Sequence, residues 1–243
     1  MLTLSAVSRM ALGKRDTSYG WVWRNSRAAQ AEFRAIVDVA RRYIAEPPPL
    51  DDCFSDFPHC DAADAVLTGE RGALSQHVIY GLARVLNFNC YLEVGTRYGY
   101  SIGAVMAASR SLRRAVTIDP FVNPDEIRAN LATLNRPDVD VQIVTQMSRD
   151  FDTEERFDAI YVDGDHSYEA AFGDLMQYWH YVRAGGLMLV DDTINRRADG
   201  QATRQLIGVR WAVRDFLQQT DDIAAAVTAL PTYSGFAIIQ KAD

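Results

Sequence analysis

The stretch Cys90-Tyr-Leu-Glu-Val-Gly-Thr-Arg-Tyr-Gly-Tyr-Ser101 decides how the rest of this chain is interpreted. Its first half is largely apolar and its second half contains two glycines. The small and apolar residues that follow it are typical of a helix. This order predicts a strand, a tight turn and the beginning of a helix. Because the first turn of a helix leaves backbone N–H groups unpaired, the stretch predicts an anion-binding site.

Two carboxylates near this turn narrow the class of ligand. Glu93 ends the predicted strand, where it would suit a ligand that carries both an ammonium and a carboxylate. Asp119 ends the next predicted strand, 24 residues after Gly95, a position that suits hydrogen bonds to two ribose hydroxyls. A dinucleotide is disfavoured because Arg97 stands where the pyrophosphate would require a glycine. The expected ligand is therefore a nucleoside that carries an anionic group.

Predicted strands and helices alternate through the later two thirds of the chain. This alternation predicts an α/β fold with a doubly wound, mostly parallel sheet and helices on both faces. We assign residues 72–243 to this domain and residues 1–71 to an N-terminal helical cap or substrate lid. The cap is expected to contain a helix over Trp21–Ala45, and Gly185-Gly186 is expected to cap the helix predicted over residues 167–182.

Acidic residues follow four of the predicted strands. Glu93 and Asp119 end the first two, Asp163 follows the strand predicted over Phe157–Val162, and the pair Asp191-Asp192 follows a later strand. The carboxyl ends of the strands in a doubly wound sheet meet at one crevice, where such folds bind ligands. The sequence therefore predicts that these carboxylates share one site.

Composition and charge exclude several other classes of protein. The chain has 243 residues and a net charge of −7, which disfavours nonspecific binding to nucleic acid or to an anionic membrane. Its three cysteines form no Cys-x-x-Cys pair, and no apolar run has the length of a membrane span. We expect a cytoplasmic protein without nucleic-acid or membrane partners.

The motifs resemble those of a known family. The pattern Glu93-x-Gly95-x-x-x-Gly99-x-Ser101 resembles the first motif of class I S-adenosylmethionine-dependent methyltransferases, and Asp119 corresponds to their ribose-binding motif. The runs Phe157-Asp-Ala-Ile-Tyr-Val-Asp-Gly-Asp-His-Ser-Tyr-Glu169 and Leu187-Met-Leu-Val-Asp-Asp192 are similar to motifs of metal-dependent O-methyltransferases of macrolide, cephalosporin and aminocoumarin tailoring. The resemblance covers residues 72–243. It implies a Rossmann-like domain with a seven-stranded sheet.

The same resemblance implies an activity and its cofactors. The expected reaction is S-adenosylmethionine- and Mg²⁺-dependent methylation of a hydroxyl on a small molecule, such as a natural-product sugar or polyketide. The cofactor would be bound by Glu93, Gly95, Thr96, Tyr98, Gly99, Ser101, Asp119, Met147, Ser148 and Asp163. Mg²⁺ would be bound by Asp163, Asp191 and Asp192, whose oxygens suit a hard cation. His166 and Asp165 are alternative bases for deprotonating the acceptor.

Other interpretations stay open at this point. The protein could be a methyltransferase that uses no metal, or a noncatalytic module that binds S-adenosylmethionine. The loop Asn195–Arg204 could overhang the site, where its arginines would either bind an anionic substrate or form a solvated rim. The resemblance also implies a homo-oligomer, as is common among such enzymes.

Overall fold

The computed structural model describes residues 21–23, 27–50, 54–60, 74–194, 204–232 and 234–243. The strands are β1 (Trp21–Trp23), β2 (Cys90–Val94), β3 (Arg114–Ile118), β4 (Asp140–Val144), β5 (Phe157–Val162), β6 (Val182–Val190), β7 (Ile223–Leu230) and β8 (Phe236–Lys241). The helices are α1 (Arg27–Ala45), α2 (Leu74–Leu86), α3 (Tyr100–Ala108), α4 (Pro124–Ala132), α5 (Tyr168–Trp179) and α6 (Arg204–Gln219). In the part of the chain that is described, no helix is long and apolar enough to cross a membrane.

The strands form one eight-stranded mixed sheet in the order β1-β7-β8-β6-β5-β2-β3-β4. β2 pairs in parallel with both β3 and β5, while β8 lies antiparallel between β6 and β7. The chain leaves β2 toward β3 and β4 and later returns to β5 on the other side. The carboxyl ends of β2 and β5 therefore form a topological switch point, which is where such sheets bind ligands. The predicted doubly wound α/β sheet is present as a mixed sheet, and β1 adds an eighth strand at its edge to the seven that the resemblance implied.

Helices cover both faces of the sheet, and alternate strand residues belong to two apolar clusters. Tyr91 and Tyr161 face the cluster that contains side chains of α1 to α4. Leu92 and Ile160 face the cluster that contains side chains of α5 and α6. Because side chains alternate along a strand, Glu93, Asp163 and Asp191 lie on the same face as the two tyrosines.

The described part of the predicted cap is joined to the sheet. Trp21–Trp23 form a strand rather than the beginning of the predicted helix, and they pair antiparallel with Ala225–Val227 at the edge of β7. Two tryptophans and a valine favour a strand, and the pairing satisfies backbone groups that an open edge would leave unpaired. Phe33 and Val37 of α1 are fully buried in the apolar cluster of the sheet. The division of the chain at residue 71 stays a prediction.

Gly185-Gly186 was expected to cap a helix, but both residues lie inside β6. The preceding helix α5 ends at Trp179. Val182 already pairs with Phe157, and Leu187 pairs with Ala159, so the residues between them form a bulge. Gly185 has a φ of 70°, which suits glycine. β6 therefore begins earlier than predicted, because Val182 already pairs with Phe157 on the N-terminal side of the bulge.

Candidate active site

The turn between β2 and α3 is built by two glycines in the left-handed region. Gly95 has a φ of 84° and Gly99 a φ of 86°. A Cβ atom at Gly95 would overlap the carbonyl oxygen of Asp163, so this turn lies directly against the segment that follows β5. Gly99 is the N-cap of α3 and supplies no side-chain hydrogen bond to it. This arrangement leaves the helix N-terminus suited to an anionic ligand.

Glu93 is completely buried beside this turn, and four hydroxyl groups donate hydrogen bonds to its carboxylate. The Ser101 and Thr117 hydroxyls donate over 2.6 and 3.0 Å. The other two donors are Thr96 and Tyr91. Burial raises the pKa of Glu93 from 4.5 to about 7, although the hydrogen bonds oppose this shift. The cofactor contacts expected of Glu93 and Ser101 stay predictions, since their side chains bind each other here.

Asp119 lies beside the same turn, at the carboxyl end of β3. Its Oδ2 accepts hydrogen bonds from the backbone N–H groups of Thr96 at 3.2 Å and Arg97 at 3.3 Å. Its Oδ1 accepts the N–H of Phe121 at 3.0 Å, and the Phe121 ring is 90% exposed. The structure therefore brings Asp119 and the glycine turn together. The guanidinium of Arg97 lies 5.7 Å from the ring centre of Tyr98.

Met147 and Ser148 follow β4, which pairs in parallel with β3. The Met147 side chain lies beyond the end of β4 and is 38% exposed although it is apolar. The Ser148 carbonyl accepts a hydrogen bond from the Tyr178 hydroxyl at 2.9 Å, and its hydroxyl binds Asp174. Asp174 is buried, which raises its pKa to about 6. Ser148 is thus held by α5, next to the end of the strand that carries Asp119.

Asp163, His166 and Asp192 form a cluster of possible metal ligands within the described residues. One ligand atom of each side chain lies within 4.8 Å of the others. His166 Nδ1 is 2.8 Å from Asp192 Oδ2, and His166 Nε2 is 3.4 Å from Asp163 Oδ1. Asp192 has a φ of 56°, which lies in the left-handed region. The ends of β5 and β6 and the turn after β5 therefore place the carboxylates of Asp163 and Asp192 around the imidazole of His166.

The charges of this cluster depend on each other. Hydrogen bonds to Asp163 and Asp192 raise the pKa of His166 to about 10, so the imidazole is protonated at neutral pH. Burial pushes the pKa of Asp192 upward, but the hydrogen bond and charge of His166 lower it overall. Burial raises the pKa of Asp163, although His166 opposes this shift. The positively charged imidazole of His166 therefore lies between two carboxylates, at a position that would also suit a metal cation.

Asp191 is adjacent in sequence to this cluster but is bound differently. Its Oδ2 accepts a hydrogen bond from the Tyr161 hydroxyl at 2.8 Å. Its Oδ1 accepts the Ser234 hydroxyl and the N–H of Asp192, both at 2.9 Å, and Ser75 of α2 also binds the carboxylate. Burial, followed by the charges of Asp163 and Asp192, raises its pKa to about 7. Its expected role as a metal ligand stays a prediction.

The two candidate bases differ in exposure. Asp165 is exposed, and its Oδ1 accepts the backbone N–H of Ser167 at 2.8 Å. His166 is partly buried, and both of its ring nitrogens face carboxylates. The loop expected to overhang the site was Asn195–Arg204: its residues 195–203 lie outside the described residues, and Arg204 begins α6.

Three residues of this region were not identified from the sequence. Tyr161 lies two residues before Asp163 in β5, and the strand period alone would have placed both on one face. Ser234 precedes β8, and Asn130 lies on α4. Asn130 is fully buried, and its amide donates to the Tyr98 carbonyl at 3.0 Å. No local pattern marks Ser234 or Asn130, since both reach the site from distant parts of the chain.

Comparison with known proteins relates this region to a methyltransferase domain. Residues 92–193 match the family model described as a methyltransferase domain. This range begins in β2 and ends one residue after Asp192, so it contains the glycine turn, Asp119 and the cluster. An alignment 128 positions long is also 27% identical to an uncharacterized protein of Acanthamoeba polyphaga mimivirus. The alignment covers 48% of this chain and 58% of the viral protein.

Solved structures share the fold. A Corynebacterium glutamicum protein is 15% identical, with a TM-score of 0.60 over 85% of this chain and 97% of its own. An O-methyltransferase from Bacillus cereus in complex with SAH is 16% identical, with a TM-score of 0.55 over 90% and 93%. The O-methyltransferase TomG from Streptomyces achromogenes, in complex with SAM, is 19% identical, with a TM-score of 0.52 over 91% and 92%. The chain therefore shares the α/β fold of these structures.

Proposed function

We propose that this protein transfers the methyl group of S-adenosylmethionine to a hydroxyl of a small-molecule acceptor, with the help of a divalent cation. The observation that carries the proposal is the position of the cluster of Asp163, His166 and Asp192. It lies on the strand end next to the glycine turn, within residues that match a methyltransferase domain. A methyl donor in the turn would be adjacent to an acceptor at the cluster.

The residues around the turn fit the cofactor. Asp119 has the position and charge to bind the ribose hydroxyls, and the N-terminus of α3 suits the methionine carboxylate. The exposed side chains of Phe121 and Met147 follow neighbouring strands and offer apolar surface to the adenine. Glu93 lies beside the turn but is closed off by hydroxyl groups, so we assign the methionine ammonium no carboxylate.

Asp163 and Asp192 would bind the cation, with His166 beside them. A bound divalent cation would lower the pKa of an acceptor hydroxyl. Two carboxylates suit both Mg²⁺ and Mn²⁺, and His166 would add a nitrogen ligand only after losing a proton. Since both nitrogens of His166 donate to carboxylates, the arrangement favours Asp165 as the group that accepts the proton. A natural-product sugar or polyketide with neighbouring oxygens is the proposed acceptor class.

The test is methyl transfer to a panel of hydroxylated acceptors, measured as S-adenosylhomocysteine formation. Activity should require added Mg²⁺ or Mn²⁺, should disappear with EDTA, and should fall at least about 100-fold in Asp163→Asn. Asp152→Asn is a matched control, because Asp152 binds the Tyr181 hydroxyl away from the cluster. Cofactor binding without transfer to any acceptor would support a noncatalytic binding module instead.

A methyltransferase that uses no metal is the second candidate. The observation that favours it is the position of the His166 imidazole, whose two nitrogens lie 2.8 Å from Asp192 and 3.4 Å from Asp163, where the ring would balance their charge without a metal. This candidate predicts full methyl transfer in EDTA. It also predicts that His166→Ala lowers activity and that added cation restores none of it.

A further inference from the structure

We propose that Gly208 is a positioning residue, which lets α6 pack against the turn after β5 (residues 164–167) and so places Asp165 for methyl transfer. This inference rests on the proposed function and adds a residue that lies outside both the glycine turn and the cluster. Gly208 is buried in the interior of α6. Glycine at such a position costs about 1 kcal/mol of helix stability relative to alanine, so a packing reason is expected.

The packing reason is a close approach of α6 to the main chain of the turn after β5. A Cβ atom at Gly208 would overlap the carbonyl oxygen of His166 and would lie 2.6 Å from the backbone nitrogen of Tyr168. To reach ordinary contact distance, a methyl group there would have to displace the turn or the helix by about 1 Å. The position of the turn therefore depends on the absence of a side chain at Gly208.

The turn after β5 is short and is held together by its own hydrogen bonds. Asp165 Oδ1 accepts the backbone N–H of Ser167 at 2.8 Å. The Ser167 hydroxyl in turn accepts the N–H of Ala170 at 3.3 Å and caps the N-terminus of α5. Because these bonds connect successive residues, a displacement at the His166 carbonyl also moves Asp165.

A second contact joins α6 to the beginning of α5. The Tyr168 hydroxyl donates a 2.9 Å hydrogen bond to Asp215 Oδ2. Asp215 is fixed by Arg214, whose Nε donates to Oδ1 at 2.6 Å and whose guanidinium lies 4.1 Å from the ring centre of Trp211. α6 therefore contacts the turn and the first residue of α5 at two separate points, Gly208 and Asp215.

A displaced turn should slow methyl transfer more than it weakens cofactor binding. The turn carries Asp165, the proposed base, whereas the proposed cofactor site is built from the glycine turn and Asp119. A misplacement of about 1 Å can lower a reaction rate about 100-fold. We therefore expect Gly208→Ala to lower kcat and to keep its affinity for S-adenosylmethionine.

The experiment compares Gly208→Ala with Gly173→Ala. Gly173 lies in α5, and an added Cβ there would meet nothing within 4 Å beyond its own helix backbone, so Gly173→Ala should have the kcat of the wild type. Turnover is measured as S-adenosylhomocysteine formation with the panel acceptor that the wild type methylates fastest. In Gly208→Ala, kcat should fall at least about 10-fold, while the calorimetric affinity for S-adenosylmethionine stays within about twofold.

The NMR signals of the His166 ring separate positioning from a general loss of structure. Once assigned with His166→Ala, these signals should shift in Gly208→Ala, whereas the ring signals of His180, at the far end of α5, should stay unchanged. A wild-type kcat in Gly208→Ala would overturn the inference and leave the proposed function intact. A lower kcat with unchanged His166 signals would overturn it too, because the turn would not have moved.

Tyr168→Phe decides the matter if Gly208→Ala yields no folded protein. It removes only the hydroxyl that binds Asp215, and kcat should fall about threefold or more. Tyr181→Phe is its matched control, because that hydroxyl binds Asp152 away from the cluster. A wild-type kcat in Tyr168→Phe would then overturn the inference. A wild type that methylates no acceptor would overturn the proposed function, and the inference with it.

Discussion

The Ser101 hydroxyl donates a 2.6 Å hydrogen bond to the buried carboxylate of Glu93. This bond joins the first turn of α3 to β2, and the remaining hydroxyl donors come from β2, the glycine turn and β3. The buried Glu93 carboxylate therefore joins the glycine turn to β2, β3 and α3 through these hydrogen bonds. Its pKa of about 7 makes this organisation sensitive to pH.

The first prediction concerns Glu93→Gln and the pH dependence of stability. Because the folded-state pKa lies above the usual 4.5, the folded state binds the proton more tightly than the unfolded state. The Glu93 contribution to the free energy of unfolding therefore decreases as the pH rises from 4.5 through 7. At ~1.4 kcal/mol per pKa unit, the decrease is about 3 kcal/mol.

Urea denaturation of both proteins between pH 4.5 and 8 measures this effect. The stability difference between Glu93→Gln and the wild type should change by about 3 kcal/mol over this range, in favour of the variant at high pH. Comparing the two proteins removes the contribution of Asp191, whose pKa is raised in the same direction. Parallel pH profiles would contradict the prediction.

The second prediction compares alanine at the two turn glycines. Both have positive φ, which costs a non-glycine residue about 1–2 kcal/mol. At Gly99 a Cβ would meet its nearest atom, in Ile127, at 3.4 Å, so Gly99→Ala should lose only this amount. At Gly95 the Cβ would overlap the backbone of Asp163, so Gly95→Ala should lose more than about 4 kcal/mol.

Urea denaturation and soluble yield distinguish these two variants. Equal stability losses at the two glycines would show that the contact between the turn and the Asp163 backbone is not rigid.

The third prediction concerns Asn130, which binds two separate segments. Its side chain makes hydrogen bonds of 2.9 and 2.7 Å with the backbone of His59, and it also donates to the Tyr98 carbonyl of the glycine turn. Asn130→Ala leaves these buried groups unpaired, so it should lose about 3 kcal/mol of stability. It should also weaken S-adenosylmethionine binding, because the turn loses a support.

The matched control is Asn123→Ala in the same helix. Asn123 caps α4 through the N–H of Asp125, so its loss should cost about 1 kcal/mol. Calorimetry should find normal cofactor affinity in Asn123→Ala. Equal cofactor affinity in the Asn130 and Asn123 variants would remove Asn130 from the support of the turn.

The sequence predicted the central strands because their signals are local. The apolar run Phe157–Val162 is a strand with the predicted bounds. Asp119, Asp163 and Asp191 directly follow strands as expected, whereas Glu93 lies inside β2. The structure brings together Asp163 and Asp192, two of the acidic residues expected to share a site.

Structural features that depend on pairing between residues far apart in the sequence could not be predicted from local sequence patterns. Trp21–Trp23 form a strand because the edge of β7 is available, and the bulge in β6 exists because Val182 pairs with Phe157. Neither partner is near in sequence. The enclosure of Glu93 likewise depends on Thr117 of the next strand. The orientation of Asp191 depends on Ser234, 43 residues later.

The central claim is that the glycine turn and Asp119 bind S-adenosylmethionine, and calorimetric titration of the cofactor tests it most directly. The wild type should bind the cofactor, and Asp119→Asn should weaken binding at least about tenfold, which corresponds to about 1.4 kcal/mol. Asp125→Asn, at an exposed position on α4, should bind like the wild type. A wild type that binds no S-adenosylmethionine, or an Asp119→Asn variant with unchanged affinity, would contradict the account.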